Sequence, residues 1–186
     1  MRIENNYSPN FGAKYINNTA QIFNKHANKE RFVTSIEIDP QNIGDIKALK
    51  KISEFWEYGK FATNIYYAAC AMRNDSIHYT HNKIFALTKQ SSDLENLDPD
   101  KILGLVHVSP FADKSLFIEH IEINPEIIYS RDRKYKGIGT ALIDYLKTIT
   151  DKISCFPSNT LAVKNFYFKN GFTEIIEKSN LFVWHK

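Results

Sequence analysis

Ile138, Ala141, Leu142, Tyr145, Leu146 and Ile149 recur at i, i+3, i+4, i+7, i+8 and i+11. That period predicts an amphipathic helix with one apolar face committed to a core. The helix opens directly out of Lys134-Tyr135-Lys136-Gly137-Ile138-Gly139-Thr140. Two glycines there permit a tight turn with exposed backbone N–H groups. Those groups, the helix N-terminus and the flanking lysines together favour an anion. The dipole contributes only about 0.3–1 kcal/mol per anionic group, so several N–H donors and cationic side chains must act together to hold a pyrophosphate. The spacing is not G-x-x-x-x-G-K-[ST]. Leu142 also stands where the third glycine of G-x-G-x-x-G would fall, so neither common nucleotide loop is present.

The elements around this turn read as one mixed α/β unit. Phe32–Ile38 alternates as a strand, and Asp39-Pro40 offers a cap followed by a first-turn proline. Ile46, Leu49, Ile52 and Trp56 give the next helix one apolar side, and Ala62–Met72 reads as a second helix. Strands are expected at Lys83–Lys89, Ile102–Val108, Leu116–Ile123, Ile153–Phe156, Phe172–Ile176 and Leu181–Trp184, with a polar loop at Ser91–Asp100. A helix over Asn159–Asn170 should stop at Gly171, burying Leu161, Ala162, Asn165 and Phe166 with Tyr167 off the centre of that stripe. Residues 1–31 are polar and rich in Asn and Lys. They are an N-terminal arm or extension, with an arm, a short helix near Gln21–His26 and disorder all left open, and the domain proper runs over 32–186.

Composition narrows the function. The 186 residues suffice for one domain. A net charge of +3 argues against a dedicated nucleic-acid binder, although Arg131-Asp132-Arg133-Lys134-Tyr135-Lys136 is locally basic, either as a solvated loop or as an anion contact. No apolar run reaches membrane length, and the first residues carry no apolar signal core, so a cytoplasmic protein is expected. Cys70, Cys155 and the scattered histidines have no metal-ligand spacing, and both cysteines read as packed small hydrophobes.

Three segments together carry a resemblance. Lys134–Thr140 resembles the acyl-CoA pyrophosphate loop of the GNAT superfamily of N-acetyltransferases, [QR]-x-x-G-x-[GA], with Lys134 where Gln or Arg is usual. Ile118-Glu119-His120-Ile121-Glu122-Ile123-Asn124-Pro125-Glu126 resembles that family's fourth strand, and Phe166-Tyr167-Phe168-Lys169-Asn170-Gly171-Phe172 its F-Y-x-K-x-G-F segment. The likeness covers Ile102–Lys186; the first half follows only by element order. It implies a GNAT-like single domain of the α/β (α+β) kind, with a central mixed, mostly antiparallel twisted sheet flanked by helices. It also implies acetyl-CoA as co-substrate and a primary amine, on a small molecule or a protein, as acceptor. No metal is expected, and a homodimer is left open.

The resemblance assigns roles. Backbone groups of Ile121, Glu122 and Ile123 would pair with the pantetheine arm. Lys134, Tyr135, Lys136, Gly137, Ile138, Gly139 and Thr140 would hold the phosphates, with Arg131 and Arg133 in reach. The Asn that family members often carry seven residues before the tyrosine is Thr160 here, with Asn159 one position earlier; the connection over Ile127–Arg133 is also several residues longer than usual. Tyr167 would protonate the departing thiolate. An acceptor site would form from Trp56–Phe61 and Ser179–Trp184, where Trp56, Tyr58 and Trp184 would suit a cation.

The chemistry itself needs a base. An amine of pKa near 10.4 is neutral in less than about one part in a thousand at pH 7, and only that form attacks a thioester. Glu119 is the candidate base; in an unbroken strand it shares a face with Phe117, Ile121 and Ile123. Glu122 and His120, on the opposite face, are alternatives acting through water. A non-catalytic GNAT-fold module that binds CoA or a protein partner is the rival reading.

Overall fold

A computed structural model of the chain describes residues 12–56, 60–176 and 180–186. Among the described residues, nine strands form one sheet in the order β6-β1-β2-β3-β4-β5-β7-β9-β8. The strands are β1 (Lys14–Asn24), β2 (Lys29–Glu37), β3 (Lys83–Thr88), β4 (Ile102–Pro110), β5 (Leu116–Ile123), β6 (Tyr135–Lys136), β7 (Lys152–Cys155), β8 (Thr173–Ile176) and β9 (Leu181–His185). Every pairing is antiparallel except β5 with β7. The helices are α1 (Ile43–Phe55), α2 (Lys60–Arg73), α3 (Pro125–Tyr129), α4 (Ile138–Ile149) and α5 (Leu161–Lys169).

Two apolar layers cover the sheet. On one face α1 and α2 lay Ala48, Leu49, Ile52, Ala62, Ile65 and Ala69 against Ile36, Ile84, Ala86 and Leu105. On the other, α4 lays Ile138, Leu142, Ile143 and Leu146 against Phe85, Val106, Val108, Leu116 and Ile118, and Tyr167 of α5 closes that layer with Phe172 and Phe182. Those four α4 side chains are at most 1% exposed. Each contributes about 1.5–3 kcal/mol of burial before entropy is charged. Ile149, expected in the apolar stripe, is 47% exposed, and Ile143 is buried instead.

The sequence-based expectations differ from the structure in four further places. The first is the N-terminal division: residues 14–24 form β1, paired with β2 and β6, so a boundary at 31/32 would fall inside β2. The register of β1 shifts twice, between Tyr15 and Asn17 and between Asn17 and Ala20. Such irregularities erase the period-two pattern that betrays a strand. Secondly, α1 starts after Asn42, whose side chain accepts from the Asp45 N–H at 3.1 Å. Asp39 instead closes a local turn, accepting from the Gln41 N–H at 2.9 Å. Thirdly, α5 buries Tyr167, with Val163 and Phe166 packed beside it, while Leu161 is 75% exposed. Lastly, β5 carries a bulge. His107 pairs with His120 and Val108 with Ile118, leaving Glu119 as the extra residue.

Candidate active site

The bulge at Glu119 resets the alternation of β5. Leu116 and Ile118 before it, and Ile121 and Ile123 after it, all pack into the α4–α5 layer. Glu119, His120 and Glu122 are thereby turned to the α2 side, where Glu119 and His120 line one cavity and Glu122 meets Ala62. The expectation that Glu119 shares a face with Ile121 and Ile123, with Glu122 on the other, is therefore corrected. One added residue moves the carboxylate to the opposite face.

Glu119 is exposed and accepts from Ser109 Oγ at 2.6 Å. Beside it lies a cavity of about 350 Å³ whose lining includes Asn64, Tyr79, Asn82, His107 and His120. The two imidazoles are 5.8 Å apart between ring centroids, Tyr79 stacks on His107 at 6.2 Å, and Phe61 stacks on His120 at 5.4 Å. Asn82 Nδ2 donates to His107 Nε2 at 2.9 Å. Burial, and then the nearby His120, push the His107 pKa down to about 4; burial lowers that of His120 against the opposing pull of Glu119. Both rings are consequently neutral at pH 7.

Glu122 does different work. It accepts from the Ala62 N–H in the first turn of α2, one of the donors that a helix start leaves without an intrahelical partner. Burial raises its pKa to about 7, opposed by hydrogen bonds from the Ala62 and Phe61 backbone. Sequence reasoning did not find His107, Asn64, Tyr79 or Asn82. His107 sits in a continuous apolar run, and Asn64, Tyr79 and Asn82 reach the site only through the packing of α2 and the segment after it.

β5 and β7 form a fork. They pair in parallel over Leu116–Ile118 with Ile153–Cys155, and β5 then continues through Glu119–Ile123 beyond the last rung. Tyr167 stands at this fork on the α4–α5 side, buried, with its hydroxyl near the Cys155 thiol; burial foremost holds its pKa well above the usual phenol range. Cys155 is buried too, and burial pushes its thiol up to about 12. Glu119 and Tyr167 thus lie at the fork from opposite faces of the sheet, and the cavity beside Glu119 is not lined by Tyr167.

The start of α4 meets the same fork. Gly137 caps it at φ +85° with no side-chain cap, and a Cβ there would touch nothing within 4 Å. This left-handed turn leaves the first N–H groups of α4 open. At Gly139 the constraint is close approach: a Cβ would lie 3.0 Å from Ile123 Cδ1 and from Phe166 Cε2, so the glycine brings α4 against β5 and α5. Lys134, Lys136 and Thr140 are exposed around the turn, whereas the Tyr135 and Ile138 side chains are buried and offer only backbone. Arg131 is exposed, and Arg133 Nε is committed to the Tyr135 carbonyl at 3.2 Å. Asn159 is exposed in the connection before α5, whose cap is Thr160. A bared helix start, basic side chains and a strand running on past its partner suit a long ligand with a phosphate end and an amide-bearing arm.

Of the expected aromatic acceptor residues, Trp56 and Trp184 do not come together. Trp56 is 3% exposed inside the α1–α2 layer. Trp184 packs against the other layer with Lys147 Nζ 5.4 Å from its ring centroid. Tyr58 lies outside the described residues. A cavity of about 1070 Å³ lies among Gly12–Tyr15, Glu37–Pro40 and Ser91–Glu95, and its lining includes neither Glu119 nor a residue of the α4 turn. Among the described residues, no three His, Cys, Asp or Glu are grouped to hold a metal ion, and no helix is long and apolar enough to cross a membrane.

No family model matches the sequence, and no curated protein does. Solved structures do match the fold. An assigned GNAT-family acetyltransferase from Desulfovibrio desulfuricans superimposes with a TM-score of 0.52 at 12% identity, over 82% of this chain and 98% of its own. An assigned acetyltransferase from Exiguobacterium sp. 255-15 gives 0.51 at 16% identity, over 82% and 93%. An acetyltransferase from Streptococcus agalactiae gives 0.50 at 12% identity, over 83% and 97%. With its mixed nine-stranded sheet, forked between β5 and β7 and covered by helices on both faces, the chain has the fold of the GNAT superfamily of N-acetyltransferases.

Proposed function

We propose that the chain is an N-acetyltransferase that moves the acetyl group of acetyl-CoA to a primary amine by direct attack. The observation that carries this reading is convergence at the fork. The open start of α4 meets the free run of β5 on one face, and a carboxylate beside a polar cavity stands on the other.

The residues fit acetyl-CoA. N–H groups at Ile138, Gly139 and Thr140, with Lys134 and Lys136, would hold the diphosphate, and the backbone of Ile121–Ile123 would pair with the pantetheine amides. When bound, acetyl-CoA supplies the thioester carbonyl. Glu119 accepts the proton of the amine, on the face where the acceptor would lie. The new N–C bond forms as the C–S bond breaks. Tyr167 keeps its proton at neutral pH, since burial raises its pKa, and can stabilise the departing sulfur by donating a hydrogen bond. The same burial makes it a weak acid, so hydrogen bonding is its larger contribution. Glu122, although burial raises its pKa to about 7, is committed to the start of α2, which favours Glu119 as the base.

The test is thiol release from acetyl-CoA with an amine panel. Glu119→Gln should lower kcat/KM by on the order of 10²–10⁴. An unchanged rate in that variant would remove Glu119 from the mechanism. A second reading, a CoA-binding module without catalysis, is favoured by the burial of Tyr167, which is 3% exposed. It predicts acetyl-CoA binding with no turnover of any amine.

A further inference from the structure

Three phenylalanine rings border Glu119 on its own face of the sheet. Ser109, whose hydroxyl donates to Glu119 at 2.6 Å, is the register partner of Phe117. Leu116 and Ile118 enter the α4–α5 layer, so Phe117 between them turns to the α2 side, as Ser109 and Glu119 do. Paired side chains on one face stand about 4.5–5.5 Å apart at Cβ, which sets the Phe117 ring beside the carboxylate. Phe111 meets Phe117 edge-on with 6.2 Å between ring centroids, and Phe156 tilts against Phe117 at 5.6 Å. Glu119 thus stands between the polar cavity and an apolar patch.

Solvent reaches these rings. Phe111 is 53% and Phe156 60% exposed, and Phe117 is half-buried. One exposed phenylalanine is ordinary, but rings in mutual contact form a patch, and such patches mark binding surfaces. Its place gives this one a meaning. Phe156 follows Cys155, which makes the last rung of β7 with β5, and Phe117 lies one rung earlier. The patch therefore borders the point where the two strands part. Phe111 is two residues past Ser109 in the chain and Phe117 is opposite it. The rings and the carboxylate gather within about two residues of Ser109, roughly 7 Å along a strand, which is the footprint of a small molecule.

We infer that this surface binds a small arylalkylamine, with its ammonium on Glu119 and its ring, two or three carbons away, against Phe111, Phe117 and Phe156. Its role as the acceptor site rests on the acetyltransferase reading. Charge complementarity sets the amine end, because Glu119 is a carboxylate open to solvent. The phenylalanines set the other end. A fourth ring would make with them the edge and tilted contacts they already make with one another. It would also cover apolar area that stays wet in the free chain. A saturated ring of the same size gains the burial without the ring–ring contact, and a short alkylamine gains neither.

The experiment measures binding to the full chain by calorimetry, with and without coenzyme A. The ligands are 2-phenylethylamine, 2-cyclohexylethylamine, ethylamine and a tripeptide amide that begins with phenylalanine. The phenyl amine should bind at least about tenfold more tightly than ethylamine and about threefold more tightly than the cyclohexyl amine. Phe156→Ala and Phe111→Ala, both at exposed rings, should each cut the phenyl-to-ethyl ratio by at least about threefold. Glu119→Gln should weaken all the amines. Should a variant fail to fold, the ligand ratios in the unaltered chain decide alone. A phenyl-to-ethyl ratio near one, equal or tighter binding of the cyclohexyl amine, a ratio unmoved in both ring variants, or tighter binding of the tripeptide would each overturn the inference. Failure of coenzyme A to bind would sink the transferase reading and leave the amine preference standing. Coenzyme A that binds beside amines of equal affinity would do the reverse.

Discussion

Glu119 and Tyr167 lie on opposite faces of the sheet at the point where β5 and β7 part. Cys155, beside the Tyr167 hydroxyl, pairs with Ile118, and Glu119 is the next residue of β5. One bulge produces this arrangement, because it turns Glu119 out of the α4–α5 layer while Ile121 and Ile123 stay in it. A thioester held at the fork would be open to an amine from one side and near a phenol on the other. The following predictions probe the parts of this arrangement separately.

Tyr167→Phe removes one hydroxyl from a buried ring and leaves the packing with Phe172 and Phe182 in place. Stability should change by about 0.5–1.5 kcal/mol, the net worth of one hydrogen bond. Turnover should fall by on the order of 10²-fold, with the KM for acetyl-CoA held. Steady-state kinetics beside chemical denaturation checks both. A large stability loss with normal turnover would make this tyrosine a packing residue only.

Gly139→Ala puts a methyl group 3.0 Å from Ile123 and Phe166. Such overpacking should cost about 1–3 kcal/mol, measured by denaturant unfolding. It should also weaken acetyl-CoA binding, because α4 would have to back away from β5. A neutral substitution would show that this junction yields more easily than its packing implies.

Glu122 gives a pH signature. Its pKa is raised from an ordinary 4.5 to about 7, by burial first. Between those values the folded chain keeps a proton that the unfolded chain has lost, so stability falls as pH rises through the window, and the loss is complete above it. Asp45, raised from 3.8 to about 6 by burial, acts in the same direction at lower pH. Glu122→Gln keeps an acceptor for the Ala62 N–H and removes the titration. The variant's Tm should gain on the wild type from about pH 4.5 to 7 and then run parallel. Curves parallel throughout would show that Glu122 is not proton-linked to folding.

Much of the fold could be read from side-chain periodicity. β5 occupies Leu116–Ile123 as expected, and α4 runs from Ile138 to Ile149 with most of its stripe buried. β1 was illegible because two register shifts break its alternation. The candidate site was legible in its residue types at Glu119, Gly137 and Tyr167, and illegible in its orientation. A bulge leaves no mark in a sequence of alternating Ile and Glu, and it decides which face a carboxylate meets. His107 was hidden in the same way: an apolar strand gives no sign that one imidazole in it leaves its Nδ1 without a partner.

The central claim is that the open turn at Gly137 holds acetyl-CoA, and thermal unfolding with and without that ligand tests it most directly. At about 100 times its dissociation constant, acetyl-CoA should add roughly 2.7 kcal/mol to the wild type. Gly137→Glu, with charge and bulk in the turn, should fold with a cost of about 1–2 kcal/mol for its left-handed backbone and gain nothing from the ligand. A well-folded wild type that acetyl-CoA does not stabilise, or a Gly137→Glu variant stabilised as much as the wild type, would contradict the account.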